Sequence, residues 1–263
     1  MSTLQTSRRS RLWLLLDMPG APDRAEELRR VYPQTQAYPL FEGSGLQRLS
    51  ERGPWLLDLE GSPLAAISQA SPGIWTGLFM ITEVSAQALL EHLRAMLVVR
   101  FGEYSKGLLS YYNPQTASYF FDATDINELS SWLGPISLLY WYGGTWADKA
   151  SGSLGWQQVA NPCVSRHPLE PLTELSIAQQ GRLQTCLLER HAYYWSQAEQ
   201  HGYQSVWRHL QEGLRHGFND SGLLDAWLRL RLRFPMGPLP DSPPGLTPQQ
   251  RLDWLRRAWE GDK

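Results

Sequence analysis

The stretch LWLLL at residues 12–16 decides the first half of the fold. Five consecutive apolar residues, ended by Asp17, are typical of a buried strand. Similar apolar runs follow at residues 55–59, 75–81 and 136–142, with glycine- or proline-containing stretches between them. The sequence therefore predicts a sheet in the N-terminal part of the chain.

Helices are predicted between these strands. Residues 22–33 (PDRAEELRRVYP) start at a proline followed by an acidic residue and stop at another proline. Residues 85–96 carry leucine and methionine at helical spacing, and shorter helices are predicted at residues 115–121 and 126–133. Residues 62–73 are rich in proline, glycine and serine, which favours a loop. The first lobe is thus predicted to be α/β-like, with a mixed sheet and flanking helices.

A β-hairpin is predicted with arms at residues 97–101 and 108–112, separated by GEYSKG. Its second arm ends in two tyrosines followed by Asn113 and Pro114. Proline cannot continue a sheet ladder, and it restricts the residue before it to extended or turn geometry. Asn113 and Pro114 are therefore predicted to form a structural turn.

Residues 161–171 are irregular in pattern, and everything beyond them is helical. Residues 176–200 carry Leu183, Leu187 and Tyr194 on one helix face, and further helices are predicted at residues 205–218 and 249–259. Thr247 and Pro248 are a strong start for the last of these, because threonine caps a helix and proline suits its first position. The predicted lobes are residues 1–160 and 161–263.

One C-terminal segment, WLRLRLRF at residues 227–234, fits two structures. It alternates with a period of two, as a strand does, but Trp227, Leu230 and Phe234 also share a helix face. Ser221 can cap a helix here and Pro235 can end it, so we expect a helix. The predicted fold class is α+β, with an all-helical C-terminal lobe.

The composition excludes several classes of protein. The formal net charge is -2 and the pI about 6.3, so no global field attracts nucleic acid or an anionic membrane. The two cysteines form no disulfide framework or zinc motif. The start SRRSRLWLLLD resembles an export signal, but its five-residue apolar run is shorter than the ~7–15 residues of a signal. We expect a cytoplasmic protein.

No catalytic motif is complete. SGSLG at residues 151–155 lacks the first glycine of a nucleophile elbow, and no histidine pair has the spacing of a metal site. Asp122, Asp125 and Glu128 are better explained as helix-end charges than as an acid–base cluster. We therefore predict no catalytic residues, no metal and no cofactor. The alternative is a hydrolase or transferase whose site is assembled from distant residues such as Asp122, Ser153 and His167.

The aromatic content is the positive signal, since the chain has twelve Trp and eleven Tyr. Aromatic residues and arginine dominate the energetics of protein–protein interfaces. The C-terminal lobe is rich in both. The predicted partner-binding residues are Tyr194, Trp207, Trp227, Arg229, Arg233 and Trp254.

The order of motifs in the first lobe resembles a known family. LLLD is followed by LFEGSGL, GPWLLDL, EHLRAML, YYNP and WLGPI. This order is similar to the bacterial type VI secretion system effector chaperones or adaptors (TEC or Tap), which carry domain of unknown function 4123. In that family the segment that corresponds to YYNP usually reads R-F/Y-Y-D-P, whereas this chain has Ser110 and Asn113 at the two charged positions. An ion pair between them is therefore impossible here.

The resemblance implies a non-enzymatic role. Such a chaperone binds a cognate secreted effector in the producing cell, keeps it stable and helps to load it onto the secreted spike protein. The expected partners are that effector and the spike, and neither nucleic acid nor membrane is expected. The oligomeric state is left open, and an obligate self-assembling subunit is a further alternative.

Overall fold

The computed structural model describes residues 10–17, 30, 35–59, 76–122, 124–164, 173–239 and 243–261. The chain divides into two compact units, Met1–Cys186 and Leu187–Lys263. Each unit is described by itself, and the lobe boundary placed at residue 160 stays a prediction. The helix predicted at residues 22–33 and the loop predicted at residues 62–73 fall largely outside the described residues.

The first unit contains a six-stranded sheet in the order β2-β3-β1-β4-β7-β8. All of its pairings are antiparallel, where the sequence predicted a mixed sheet. Its strands are β1 (Arg11–Leu16), β2 (Ala37–Pro39), β3 (Trp55–Asp58), β4 (Gly77–Thr82), β7 (Ile136–Gly143) and β8 (Gly155–Ala160). A separate hairpin consists of β5 (Val98–Phe101) and β6 (Ser105–Leu108).

Short helices accompany this sheet. They are α1 (Ala86–Ala95), α2 (Pro114–Phe120), α3 (Ile126–Leu133) and α4 (Trp146–Ser151), with a 3-10 turn at Gln47–Arg52. The Ser85 hydroxyl caps α1 by accepting the Ala88 N–H. α4 begins with a capping box formed by Thr145 and Asp148, which satisfies two backbone N–H groups at once.

The central strand β1 explains why LWLLL is apolar throughout. Trp13 and Leu15 belong to a core cluster that also contains side chains of α1, α2 and α3. Leu14 and Leu16 belong to a second cluster with Leu57, Leu59 and Phe79 of the neighbouring strands and their ends. Both sides of β1 are therefore buried, and the α+β class is confirmed.

The second arm of the hairpin begins earlier in the chain than predicted. Phe101 pairs with Ser105, so the turn is the three residues 102–104, and Gly102 supports it with a positive φ of 65°. The predicted second arm at residues 108–112 is wrong beyond Leu108, because Tyr111 and Tyr112 lie in a turn. That turn leads directly into α2, and the Asn113 N–H bonds to the Ser110 carbonyl.

His92 on α1 is fully buried in the first unit. Its Nε2 lies 3.0 Å from the Trp132 carbonyl oxygen, and its ring packs against Gly134, where an added Cβ would lie 2.4 Å from His92 Cε1. Because the carbonyl can only accept, neutral His92 donates through Nε2. Burial lowers the pKa of His92 from 6.5 to about 4, although this hydrogen bond opposes the shift.

His92 should therefore make the first unit sensitive to acid. The folded state resists a proton that the unfolded chain accepts, so stability is fully present above pH 6.5 and is lost as pH falls towards 4. The expected loss is about 3 kcal/mol. His92→Gln replaces the ring donor with a side-chain amide that does not titrate. Between pH 7 and pH 4 the urea midpoint of this variant should therefore fall less than that of the wild-type protein. Equal losses in both proteins would contradict this assignment.

The second unit is helical. It contains the end of α5 (Ile177–Ala198) together with α6 (Tyr203–Arg215), α7 (Ser221–Arg233) and α8 (Pro248–Glu260). The ambiguous segment at residues 227–234 lies almost entirely in α7, which confirms the helix, although Asp220 rather than Ser221 caps it. Thr247 caps α8 with a capping box, and Pro248 is its first residue, as predicted.

The turn that follows α5 contains a residue with a strained, left-handed backbone. The His201 N–H bonds to the Ser196 carbonyl oxygen at 3.1 Å, and Gln200 has a φ of 53°. This is the Schellman arrangement, whose left-handed position favours glycine. Gln200→Gly should raise the free energy of unfolding by about 1 kcal/mol, measured by urea denaturation. Glu199→Gly is the control, because Glu199 is one residue earlier and its backbone is not left-handed. It should not be stabilising, and a stabilising Glu199→Gly would contradict backbone strain as the cause.

Candidate partner-binding surface

Two motif segments of the first unit meet in a polar junction. Asp17 follows β1, and Asn113 is the residue before α2. The Asn113 side-chain amide donates to Asp17 Oδ2 at 2.9 Å, across 96 positions of the chain. Its carbonyl oxygen accepts the N–H groups of Gln115 and Thr116, so one asparagine both caps α2 and attaches it to β1.

Burial at this junction makes the charged form of Asp17 more costly than it is in water. Burial raises the pKa of Asp17, and the hydrogen bond from Asn113 partly opposes that rise. Within the described part of the chain, Asp17 Oδ1 has no hydrogen-bond partner. Burial also raises the pKa of the neighbouring Tyr112, with a smaller contribution from the charge of Asp17. A second carboxylate at position 113 would repel Asp17, whereas Asn113 donates to it, so the junction is suited to holding β1 and α2 together.

Two exposed apolar side chains of the second unit form a stripe on α5. Leu187 is 63% exposed and Tyr194 is 54% exposed, and at a spacing of seven residues they lie two turns apart on one face. Arg190 lies between them, with its guanidinium carbon 5.8 Å from the centre of the Tyr194 ring. We call Leu187, Arg190 and Tyr194 the α5 stripe.

Next to the stripe lies a second cation–aromatic pair. The Arg229 guanidinium carbon on α7 is 5.5 Å from the centre of the Trp195 ring. The Trp195 indole N–H donates to Asp225 Oδ1 at 3.0 Å, and His191 Nε2 lies 2.9 Å from the same oxygen. Asp225 therefore holds Trp195 and His191 in place beside Arg229. Two arginines stacked on aromatic rings give this surface the composition of an interface hot spot.

The predicted contact residues differ in exposure. Tyr194, Arg229 and Arg233 are exposed, and Arg233 pairs with Glu260 at 2.8 Å. Trp207 and Trp254 are half-buried. Trp227 is 0% exposed, and its indole N–H donates to the His209 carbonyl oxygen, so it serves the core of the helical unit.

The sequence did not identify all of the stripe. Leu183 and Leu187 were predicted to lie on one helix face, but Leu183 packs against the core of the first unit while Leu187 is exposed. Arg190 and the neighbouring Trp195 were not among the predicted contact residues. The sequence does contain a pattern that indicates Arg190. It lies four residues before Tyr194, a spacing at which side chains on a helix meet, and Trp195 follows Tyr194 directly.

The residues proposed for an assembled catalytic site have other contacts. Asp122 forms a hydrogen-bonded ion pair with Arg182. The Ser153 hydroxyl lies 2.8 Å from that of Ser151, and His167 is outside the described residues. Across the described ranges there is no group of three or more His, Cys, Asp or Glu placed to hold a metal ion. No helix in those ranges is long and apolar enough to cross a membrane.

A family model matches residues 12–131, and its description is "Domain of unknown function (DUF4123)". Residues 12–131 carry a DUF4123 domain. The family recognised from the motif order is thus confirmed, and the match includes both Asp17 and Asn113. Comparison with curated proteins and with solved structures found no significant match.

The DUF4123 domain does not include the whole sheet. The match ends inside α3, before β7 and β8, yet β7 pairs with β4 of the matched region. The folded unit is therefore larger than the matched DUF4123 segment. The α5 stripe also lies beyond the match.

Proposed function

We propose that this protein is a non-enzymatic adaptor of the type VI secretion system. It binds a cognate effector in the cytoplasm of the producing bacterium, keeps it stable and promotes its loading onto the spike. The observation that carries the proposal is the DUF4123 match over residues 12–131. The association of this family with type VI secretion effectors supplies the functional class, and the partner it implies is a protein.

The α5 stripe supports this proposal as a contact surface. An adaptor must cover apolar surface of its partner, and exposed apolar side chains flanked by polar ones mark such sites. Leu187 and Tyr194 supply that surface, while Arg190 and Arg229 can pair with carboxylates or stack on rings of the partner. Tyr194, Arg229 and Arg233 stay in the proposed contact set, with Trp207 and Trp254 at its margin.

Trp227 has a different place in the proposal. Because it is 0% exposed, contact with a partner would require the helical core to open. Its contribution to binding is therefore indirect, through the fold that presents α5 and α7.

The test is co-purification from the native bacterium with defined surface variants. Tagged wild-type protein should recover one dominant effector, identified by mass spectrometry. Leu187→Ser combined with Tyr194→Ser should reduce the recovered effector at least about tenfold, since two hot-spot side chains are removed. Ile177→Ser is the matched control, because Ile177 is 89% exposed on the same helix but outside the stripe. Unchanged recovery with the double variant would remove the α5 stripe from the proposal.

A further inference from the structure

The two edges of the six-stranded sheet are protected to different degrees. β2 has three residues and ends in Pro39, which cannot donate to a further strand. β8 has six residues, GWQQVA, with no charge and no proline. Short edge strands, charges and prolines are the usual devices that stop a sheet from adding strands. β2 carries two of these devices and β8 carries none.

The outer backbone groups of β8 can be assigned from its pairing with β7. The Asn161 N–H donates to the Ser137 carbonyl oxygen at 2.9 Å, and hydrogen-bonded pairs alternate along an antiparallel ladder. With the constant register of β7 and β8, Trp156, Gln158 and Ala160 point their backbone groups away from β7. These three residues are exposed, and within the described ranges no strand pairs with this side of β8.

An aromatic surface lies beside this edge. Trp156 is 41% exposed, and its ring centre lies 5.7 Å from that of Tyr142 and 6.1 Å from that of Tyr140. Tyr140 is itself stacked on the buried Phe79 at 5.1 Å. The cluster therefore connects the edge to the second core cluster, and it offers a rigid apolar surface to a side chain on an added strand.

The size of the edge indicates its occupant. Six strand residues span about 20 Å, so pairing along β8 alone covers less area than the roughly 1,200 Å² of a stable protein dimer. A single extended segment needs no such area, because its main-chain hydrogen bonds supply affinity and side-chain contacts supply selectivity. This favours an extended segment of a partner over a second copy of the chain.

We infer that the outer edge of β8 accepts an extended segment of a partner protein as an additional strand of the sheet. The segment has no proline where it pairs with Trp156, Gln158 and Ala160, and it places an apolar side chain against Trp156. Identification of this partner as the effector rests on the proposed function. β8 lies beyond the matched DUF4123 residues, so this site belongs to the extended unit of this chain.

Hydrogen exchange on the complex purified from native cells tests the inference. The amides of Trp156, Gln158 and Ala160 should exchange at least about tenfold more slowly in the complex than in the free protein, because they become hydrogen-bonded. Amides of β2 serve as an internal control and should not change. A complex in which the β8 amides remain unprotected overturns the strand addition and leaves the proposed function standing.

A pair of variants gives a second readout. Gln158→Pro removes one outward N–H without removing a ladder bond to β7, whereas Gln158→Thr keeps that N–H and suits a strand. The proline variant should recover at least about tenfold less effector than the threonine variant. Equal recovery by two folded variants overturns the inference. If the proline variant does not fold, the exchange experiment decides. If no effector co-purifies with the wild-type chain, both the inference and the proposed function fail.

Discussion

Trp227→Ala is expected to destabilise the helical unit by about 3–5 kcal/mol, the usual cost of truncating a buried tryptophan. The ring is 0% exposed and packs against Phe218 with centres 5.4 Å apart. It lies so close to α6 that a Cβ on Gly213 would be 2.4 Å from Trp227 Cδ1. The variant also leaves the His209 carbonyl without its indole donor. Since domains have only about 5–15 kcal/mol of stability, partial unfolding is expected.

Circular dichroism during urea unfolding measures this effect. Trp207→Ala is the control, because Trp207 is half-buried and lies on α6, the helix against which Trp227 packs. It should lose less stability than Trp227→Ala. A Trp227→Ala protein that keeps its wild-type urea midpoint but loses its partner would instead make Trp227 a contact residue and contradict its structural role.

The second large effect is expected at Glu212, which pairs with Arg231. Arg231 is 8% exposed, and its Nε and Nη2 atoms donate to the two carboxylate oxygens of Glu212 at 2.9 and 3.2 Å. The guanidinium carbon also lies 5.9 Å from the Trp227 ring centre and 5.2 Å from that of Trp259. Glu212→Ala leaves a buried charge without its carboxylate, so it should cost about 3–5 kcal/mol.

A double-mutant cycle separates the ion pair from simple packing. Combining Glu212→Ala with Arg231→Met removes the unpaired charge, so the double variant should be more stable than Glu212→Ala alone. The exposed pair of Arg233 and Glu260 is the control, and Arg233→Ala should cost less than about 1 kcal/mol. A loss for Glu212→Ala as small as that for Arg233→Ala would show that Arg231 finds other partners.

These expectations show how the chain divides its aromatic residues between stability and contact. Trp227 and Tyr194 look equally suitable as hot spots in the sequence, but one is fully buried and the other is 54% exposed. Helical spacing places each of these side chains on an apolar helix face, but it does not show whether another helix covers that face. Exposure depends on tertiary packing, which a single sequence does not reveal.

The fold was more accessible to prediction than the surface. LWLLL predicted a buried strand, and both of its sides are buried in the structure, which explains the apolar residue at every position. The segment at residues 227–234 was predicted correctly as a helix from its flanking cap and proline. β8 was missed because GWQQVA lies at an edge, where no apolar alternation is required. The contact of Asp17 with Asn113 joins residues 96 positions apart, and nothing local predicts it.

The most direct test of the adaptor role is the cellular level of the effector. A strain that lacks this protein should contain much less effector than the parent strain, and complementation with the wild-type chain or with Ile177→Ser should restore it. The Leu187→Ser, Tyr194→Ser double variant, once shown to be folded, should not. Equal effector levels in the parent strain and in the strain without this protein would contradict the adaptor account.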